Sequence, residues 1–164
     1  MSKLLTRAIV DFMESGEVSL YVAGCSAQLQ PYATRAYGCR IAATDGTVTT
    51  WVSRPSAPAL IEAISSNGRL ALVVSHIETC KTFQLKSLNA EVALPEAGDH
   101  PRITAYHDAF IRQASSMGYP EPMLRCMMQY RIDKLAAIVF TPIAVFGQTP
   151  GPGAGAPLGT GPAE

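Results

Sequence analysis

The chain has 164 residues, of which 48% are apolar and 16% charged, a length and composition that fit one globular domain with a buried core and not a disordered or membrane-embedded chain. Thirteen basic and thirteen acidic residues cancel, so no global field gathers a nucleic-acid backbone and no nucleic-acid partner is expected. No apolar run approaches the roughly 20 residues needed to span a bilayer, and Asp11, Glu14 and Glu17 stand where a secretory signal would place its small-residue cleavage site, so a cytoplasmic protein with no membrane partner is expected.

In chain order, Leu5, Ile9 and Phe12 share one face of a predicted helix over residues 4–15, which the glycine of Glu-Ser-Gly-Glu ends. Period-two apolar residues predict strands over 18–26 and 31–42, Asp45-Gly46 makes a hairpin turn, and a strand follows over 48–52. Ser56 is a candidate N-cap for a helix over 56–68, with Pro58 in its first turn, Leu60, Ile61 and Ile64 on one face, and Asn67-Gly68 as its stop. A strand buried on both faces is expected over 69–76 and a long alternating one over 81–94. From Ile103 the residues Tyr106, His107, Phe110, Ile111 and Ala114 recur at helical spacing, a further helical turn or two follows Pro120, and residues 135–148 read as a last strand. Residues 149–164 are so rich in Gly and Pro that they read as a linker-like tail to a domain over 1–148.

Arg35 and Arg40 stand five apart on the strand predicted over 31–42. On a regular pleat an odd spacing turns them to opposite faces. Gly38 lies between them and is the residue best able to form a bulge, which would bring both guanidiniums to one face and let them share a phosphate. The alternative is that one arginine pairs with a carboxylate such as Glu62 or Glu91 while the other is solvated. Ser53 and Arg54 precede a helix whose N-terminus offers unpaired N–H groups to an anion, or is simply capped. Cys25, Cys39, Cys80 and Cys126 form no C-x-x-C pair, which predicts free buried thiols. His76, His100 and His107 have no ligand spacing, so no metal is assigned. Met117, Met123, Met127 and Met128 make a soft cluster suited to filling gaps or to covering a ring or a partner. No Ser-His-Asp order, glycine-rich phosphate loop or carboxylate pair supports a hydrolase or kinase.

The order helix, three strands, helix, a strand opening Asn-Gly-Arg-Leu-Ala-Leu-Val-Val, then Cys-Lys-Thr-Phe-Gln-Leu-Lys-Ser resembles the pyridoxamine 5'-phosphate oxidase-like superfamily of FMN-binding split β-barrels over residues 15–150. The resemblance implies an α+β, mainly β fold: a six-stranded antiparallel split β-barrel with flanking helices. It also implies a homodimer with FMN at the subunit interface, acting as an oxidoreductase on a small molecule. Under it Arg35 and Arg40 match a strand with a basic residue at each end, and Val52 and Ser53 match a strand end bearing a hydroxyl. The basic pair that follows in the family falls here on Pro58 and Ala59, leaving Arg54 as the available substitute. Thr82 stands where the family often places a glutamine near the isoalloxazine, with Gln84 on the same strand face, while the arginine-bearing end that grips the substrate in true pyridoxamine phosphate oxidases is missing. No catalytic residue is assigned. The missing basic pair supports a second expectation, a binding or sensing module that has lost FMN and takes another ligand such as haem.

Overall fold

The computed structural model describes residues 4–160, in the order α1 (Arg7–Glu14), β1 (Val18–Cys25), β2 (Pro31–Ile41), β3 (Val48–Ser53), α2 (Pro58–Asn67), β4 (Leu70–His76), β5 (Thr82–Ser87), β6 (Glu91–Ala93), α3 (Asp99–Ser116), α4 (Glu121–Met127), β7 (Leu135–Phe140), β8 (Ala144–Gly147) and β9 (Ala156–Thr160). The fold is α+β and mainly β. All strands lie in one sheet, ordered β6-β7-β3-β2-β1-β4-β5-β8-β9, and every pairing is antiparallel. Val52 and Ile138 from one half of the sheet, Leu20, Leu72 and Leu85 from the other, and Ile9 and Met13 of α1 belong to one apolar cluster, so the sheet curls around a single interior.

Nine strands replace the six expected. The alternating stretch 81–94 divides into β5 and β6, and 135–148 divides into β7 and β8. Asn89 holds both breaks: its Oδ1 accepts from Ser87 Oγ at 2.7 Å and from the Thr141 backbone N–H at 3.1 Å. Alternating hydrophobicity continues through such breaks and so hides them. The Gly/Pro-rich stretch supplies β9, which pairs with β8. At α2, Ala57 is the N-cap and makes no side-chain capping bond; the expected cap Ser56 turns its hydroxyl to Ser53 Oγ at 3.0 Å instead. Gly68 ends that helix at φ 65°, with the Leu88 carbonyl only 2.5 Å from where a Cβ would stand.

Gly38 does form a bulge. The β2–β3 register passes from Ala36–Val52 to Cys39–Thr50, placing one extra residue on β2. Gly38 has φ 104°, and its carbonyl accepts from Thr50 Oγ1 at 2.7 Å. The slip reverses the phase of the pleat, so Arg35 and Arg40 rise on the same sheet face. α3 crosses that face, with Tyr106 against the bulge: a Cβ on Gly38 would come within 3.1 Å of Tyr106 Cβ and 3.4 Å of Trp51 Cζ3. Gly38→Ala combines a forbidden backbone angle with this crowding, and a loss of about 2 kcal/mol is expected, measured as a lowered urea midpoint with an unchanged m-value.

Candidate functional site

The two halves of the sheet differ in what covers their outer side. β3 is buried on both faces from Val48 to Val52, and Trp51 donates from Nε1 to Asp99 Oδ2, at the start of α3, at 3.1 Å. β1 and β4 instead alternate buried with half-exposed residues. On their outer side the register sets Arg35, Tyr21, Val73, Gln84 and Phe146 in one row across five strands, with Ser19, Ser75 and Thr82 in the next row. This open face continues through Ala33, Ala23, Ala71, Lys86 and Ala144. It carries Arg35 and Lys86 and no Asp or Glu.

Arg35 is half-buried at one end of the row. Its guanidinium donates to Tyr21 Oη at 2.7 Å and to Ser19 Oγ at 3.4 Å, lies over the rings of Tyr21 and Phe110 at 4.9 and 5.4 Å, and has no carboxylate partner among the described residues. It also lines a cleft of about 270 Å³ between the sheet and α3–α4, walled by Phe110, Met117, Met123 and Met127. These methionines therefore line a cleft, and only Met128 of the predicted soft cluster is fully buried.

Arg40 shares the face and is already neutralised. Its Nη2 lies 3.5 Å from Glu96 Oε2, and its Nε lies 3.3 Å from Asp99 Oδ1 in an ion pair without a hydrogen bond. The carboxylates are thus Glu96 and Asp99, not Glu62 or Glu91. Val52 points inward and is buried. Ser53 and Arg35 are the next residues outward from the Ala36–Val52 pair, which makes them neighbours in register. Arg54 donates from Nε to the Leu135 carbonyl at 3.2 Å and from Nη2 to the Ala93 carbonyl at 3.3 Å, tying β3 to β6 and β7.

On β5, Thr82 is buried and its hydroxyl bonds Ser75 Oγ at 2.7 Å and the Cys80 carbonyl at 2.8 Å. Gln84 accepts from Gln148 Nε2 at 3.2 Å through Oε1, leaving its own amide donors for a ligand. The structure thus brings Arg35, Ser53 and Gln84 to one surface, Ser53 with its hydroxyl on Ser56 Oγ, and commits Arg40, Arg54 and Thr82 to partners within the chain. Arg35 and Gln84 are separated by three strand spacings, about 14 Å, which calls for an elongated ligand.

Asp99 and Tyr21 were not legible as site residues. Asp99 is 2% exposed; beside Arg40 and Trp51 it also accepts from the Glu96 backbone N–H at 2.9 Å. The one available signal was the lone tryptophan, whose indole N–H requires an acceptor when buried. Tyr21 is 42% exposed in a strand whose neighbours alternate inward. Burial raises the phenols of Tyr37 and Tyr106, against the lowering field of Arg35. Tyr106 Oη donates to the Val18 carbonyl at 2.9 Å. Burial, with Glu14 nearby, also pushes the Cys39 thiol up, which makes it a poor nucleophile. The four cysteines are free, but only Cys39 is buried, while Cys80 and Cys126 are exposed. The expectation of buried thiols therefore fails at turns and helix surfaces that spacing does not locate.

No family model matches the sequence, and no curated protein matches it. Solved structures do. HupZ of Group A Streptococcus superposes at TM-score 0.55 with 16% identity, covering 93% of this chain and 100% of its own. A pyridoxamine 5'-phosphate oxidase-related, FMN-binding protein of Nostoc punctiforme superposes at 0.50 with 12% identity over 88% of this chain and 84% of its own. An F420 reductase gives 0.52 and 12% over 82% and 94%. At these identities the likeness is one of architecture: the chain has the pyridoxamine 5'-phosphate oxidase-like split-barrel fold. Among the described residues no helix is long and apolar enough to cross a membrane.

Asp99→Ala leaves Arg40 without its buried counter-charge and the Trp51 indole without its acceptor, and a loss of about 3 kcal/mol in chemical denaturation is expected. Asp99→Asn, which keeps an acceptor for Trp51, is expected to lose less.

Proposed function

We propose that this chain binds FMN on the open sheet face, as a homodimer in which a second copy covers the flavin, and serves as an oxidoreductase for a small molecule. The observation that carries the reading is Arg35, a half-buried guanidinium with no carboxylate partner among the described residues, on a sheet face free of acidic side chains. A cation held this way favours a doubly charged phosphate over water, and Ser53 adds a hydroxyl beside it. Gln84 offers its amide donors about 14 Å away, the placement an elongated mononucleotide would use for its ring. The fold shared with an FMN-binding protein of Nostoc punctiforme supports the same assignment.

The flavin, when bound, supplies the hydride and electron chemistry. The chain's own residues bind, orient and exclude water: Arg35 and Ser53 hold the anionic end, Gln84 hydrogen-bonds the ring edge, and the exposed Tyr21 with Val73 forms the surface between them. Arg40, Arg54 and Thr82 act in this reading as the frame that fixes β2, β3 and β5. Their commitment to partners within the chain also favours a second reading, in which the face takes a different planar anion such as haem.

Titration of the protein, stripped of any bound flavin, with FMN, followed by quenching of flavin fluorescence, tests the assignment. Arg35→Ala is expected to weaken FMN by about tenfold or more, the cost of one charge-assisted contact, in a protein that stays folded with a loss of about 1 kcal/mol from its Tyr21, Ser19 and ring contacts. An unchanged affinity would refute the place given to Arg35, absence of FMN uptake would refute the flavin reading, and uptake of haem with no uptake of FMN would select the second.

A further inference from the structure

The open face does not end at Gln84. Two residues further along β5 and on the same side stands Lys86, paired across the ladder with Ala71, and beyond it a recess of about 470 Å³ is lined by Ala23, Ala71, Leu70, Leu88, Lys86 and Arg69, among others. Leu88 and Ile143 wall it while remaining 61% and 37% exposed. The recess is shallow and open to solvent, and its alanines make a low apolar shelf.

Its two cations lack counter-charges. The Arg69 side chain has no hydrogen bond or ion pair among the described residues, only its backbone N–H being engaged, by Asn67 Oδ1 at 2.8 Å. Lys86 Nζ lies 4.9 Å above the Phe146 ring and makes no ion pair. Arg7, Arg40, Arg125 and Arg131 each have a carboxylate, whereas Arg69 and Lys86, both exposed, have none and share an acid-free stretch of the sheet. Positive charge beside an apolar shelf, with no internal anion, selects a ligand carrying a negative group on an apolar body.

We infer that this recess binds a small aromatic or similarly planar anion, a carboxylate or its phosphate or sulfonate equivalent, with the ring on the Ala23–Ala71 shelf and the charge between Arg69 and Lys86. Its place as the substrate pocket rests on the flavin reading, because Lys86 adjoins Gln84 on the same strand face; its affinity for an anion does not.

Calorimetric titration with naphthalene-2-carboxylate, and with naphthalene-2-methanol as its neutral counterpart, provides the test. The carboxylate is expected to bind once per chain and about tenfold more tightly than the alcohol, the worth of one charge-assisted contact. Arg69→Gln combined with Lys86→Gln should abolish that preference while leaving the unfolding midpoint and FMN affinity unchanged, and Arg35→Ala should leave carboxylate binding intact. Absence of saturable carboxylate binding, or equal binding by the double variant, overturns the inference. Loss of FMN in the double variant as great as in Arg35→Ala also overturns it, by assigning these cations to the cofactor. Carboxylate binding that behaves as expected in a protein that takes up no FMN supports the recess and removes only the flavin reading.

Discussion

A single extra residue in β2 governs the arrangement around it. By slipping the β2–β3 register at Gly38, the chain reverses which side of the sheet each later residue of β2 faces. Without that slip Arg40 would turn away from Arg35, and Asp99 at the head of α3 would lose its cationic partner. With it, one helix lies along one side of β2 and meets three residues in turn: Arg40 through Asp99, the bulge through Tyr106, and Arg35 through Phe110. Only a residue lacking a side chain permits Tyr106 to approach so closely.

The helix packed in this way creates the asymmetry on which function depends. Where α3 covers the sheet, its polar groups find partners within the chain: Trp51 and, as an ion pair alone, Arg40 Nε meet Asp99, and Tyr106 donates to the Val18 carbonyl. Past its reach, over β1, β4 and β5, the same sheet is left with half-exposed small and polar side chains and with cations that meet no carboxylate. Stability and recognition are thus divided between two regions of one sheet. The covered region carries the buried charge pair, which is strongly destabilising to break, and the open region carries charges that cost little to leave in water and become valuable when a ligand excludes it.

Much of the fold was legible because β1, β2 and β3 show period-two patterns, Asp45-Gly46 marks their hairpin, and Gly68 stops α2. The bulge was legible too, since the odd spacing of two arginines around a glycine poses the question that it answers. The divisions between β5 and β6 and between β7 and β8 were not, because they depend on Asn89, a side chain that joins segments 52 residues apart in its bond to Thr141. The fate of the arginines was hidden for the same reason. Arg40 and Arg54 look equivalent to Arg35 in the sequence, yet Asp99, Ala93 and Leu135 reach them only through tertiary packing. Local pattern reports which face a residue occupies, and not who else arrives there.

β9 has a bearing on how this sheet ends. β8 would otherwise present an unpaired row of backbone donors and acceptors, a template on which another chain could polymerise. The strand that covers it is short and carries Pro157 opposite Phe146 and Gly159 opposite Val145, residues that respectively lack an amide hydrogen and weaken extended pairing. A segment whose composition looks like filler thus acts as a terminator, occupying the hydrogen-bonding edge with a ribbon poorly suited to accepting the next one.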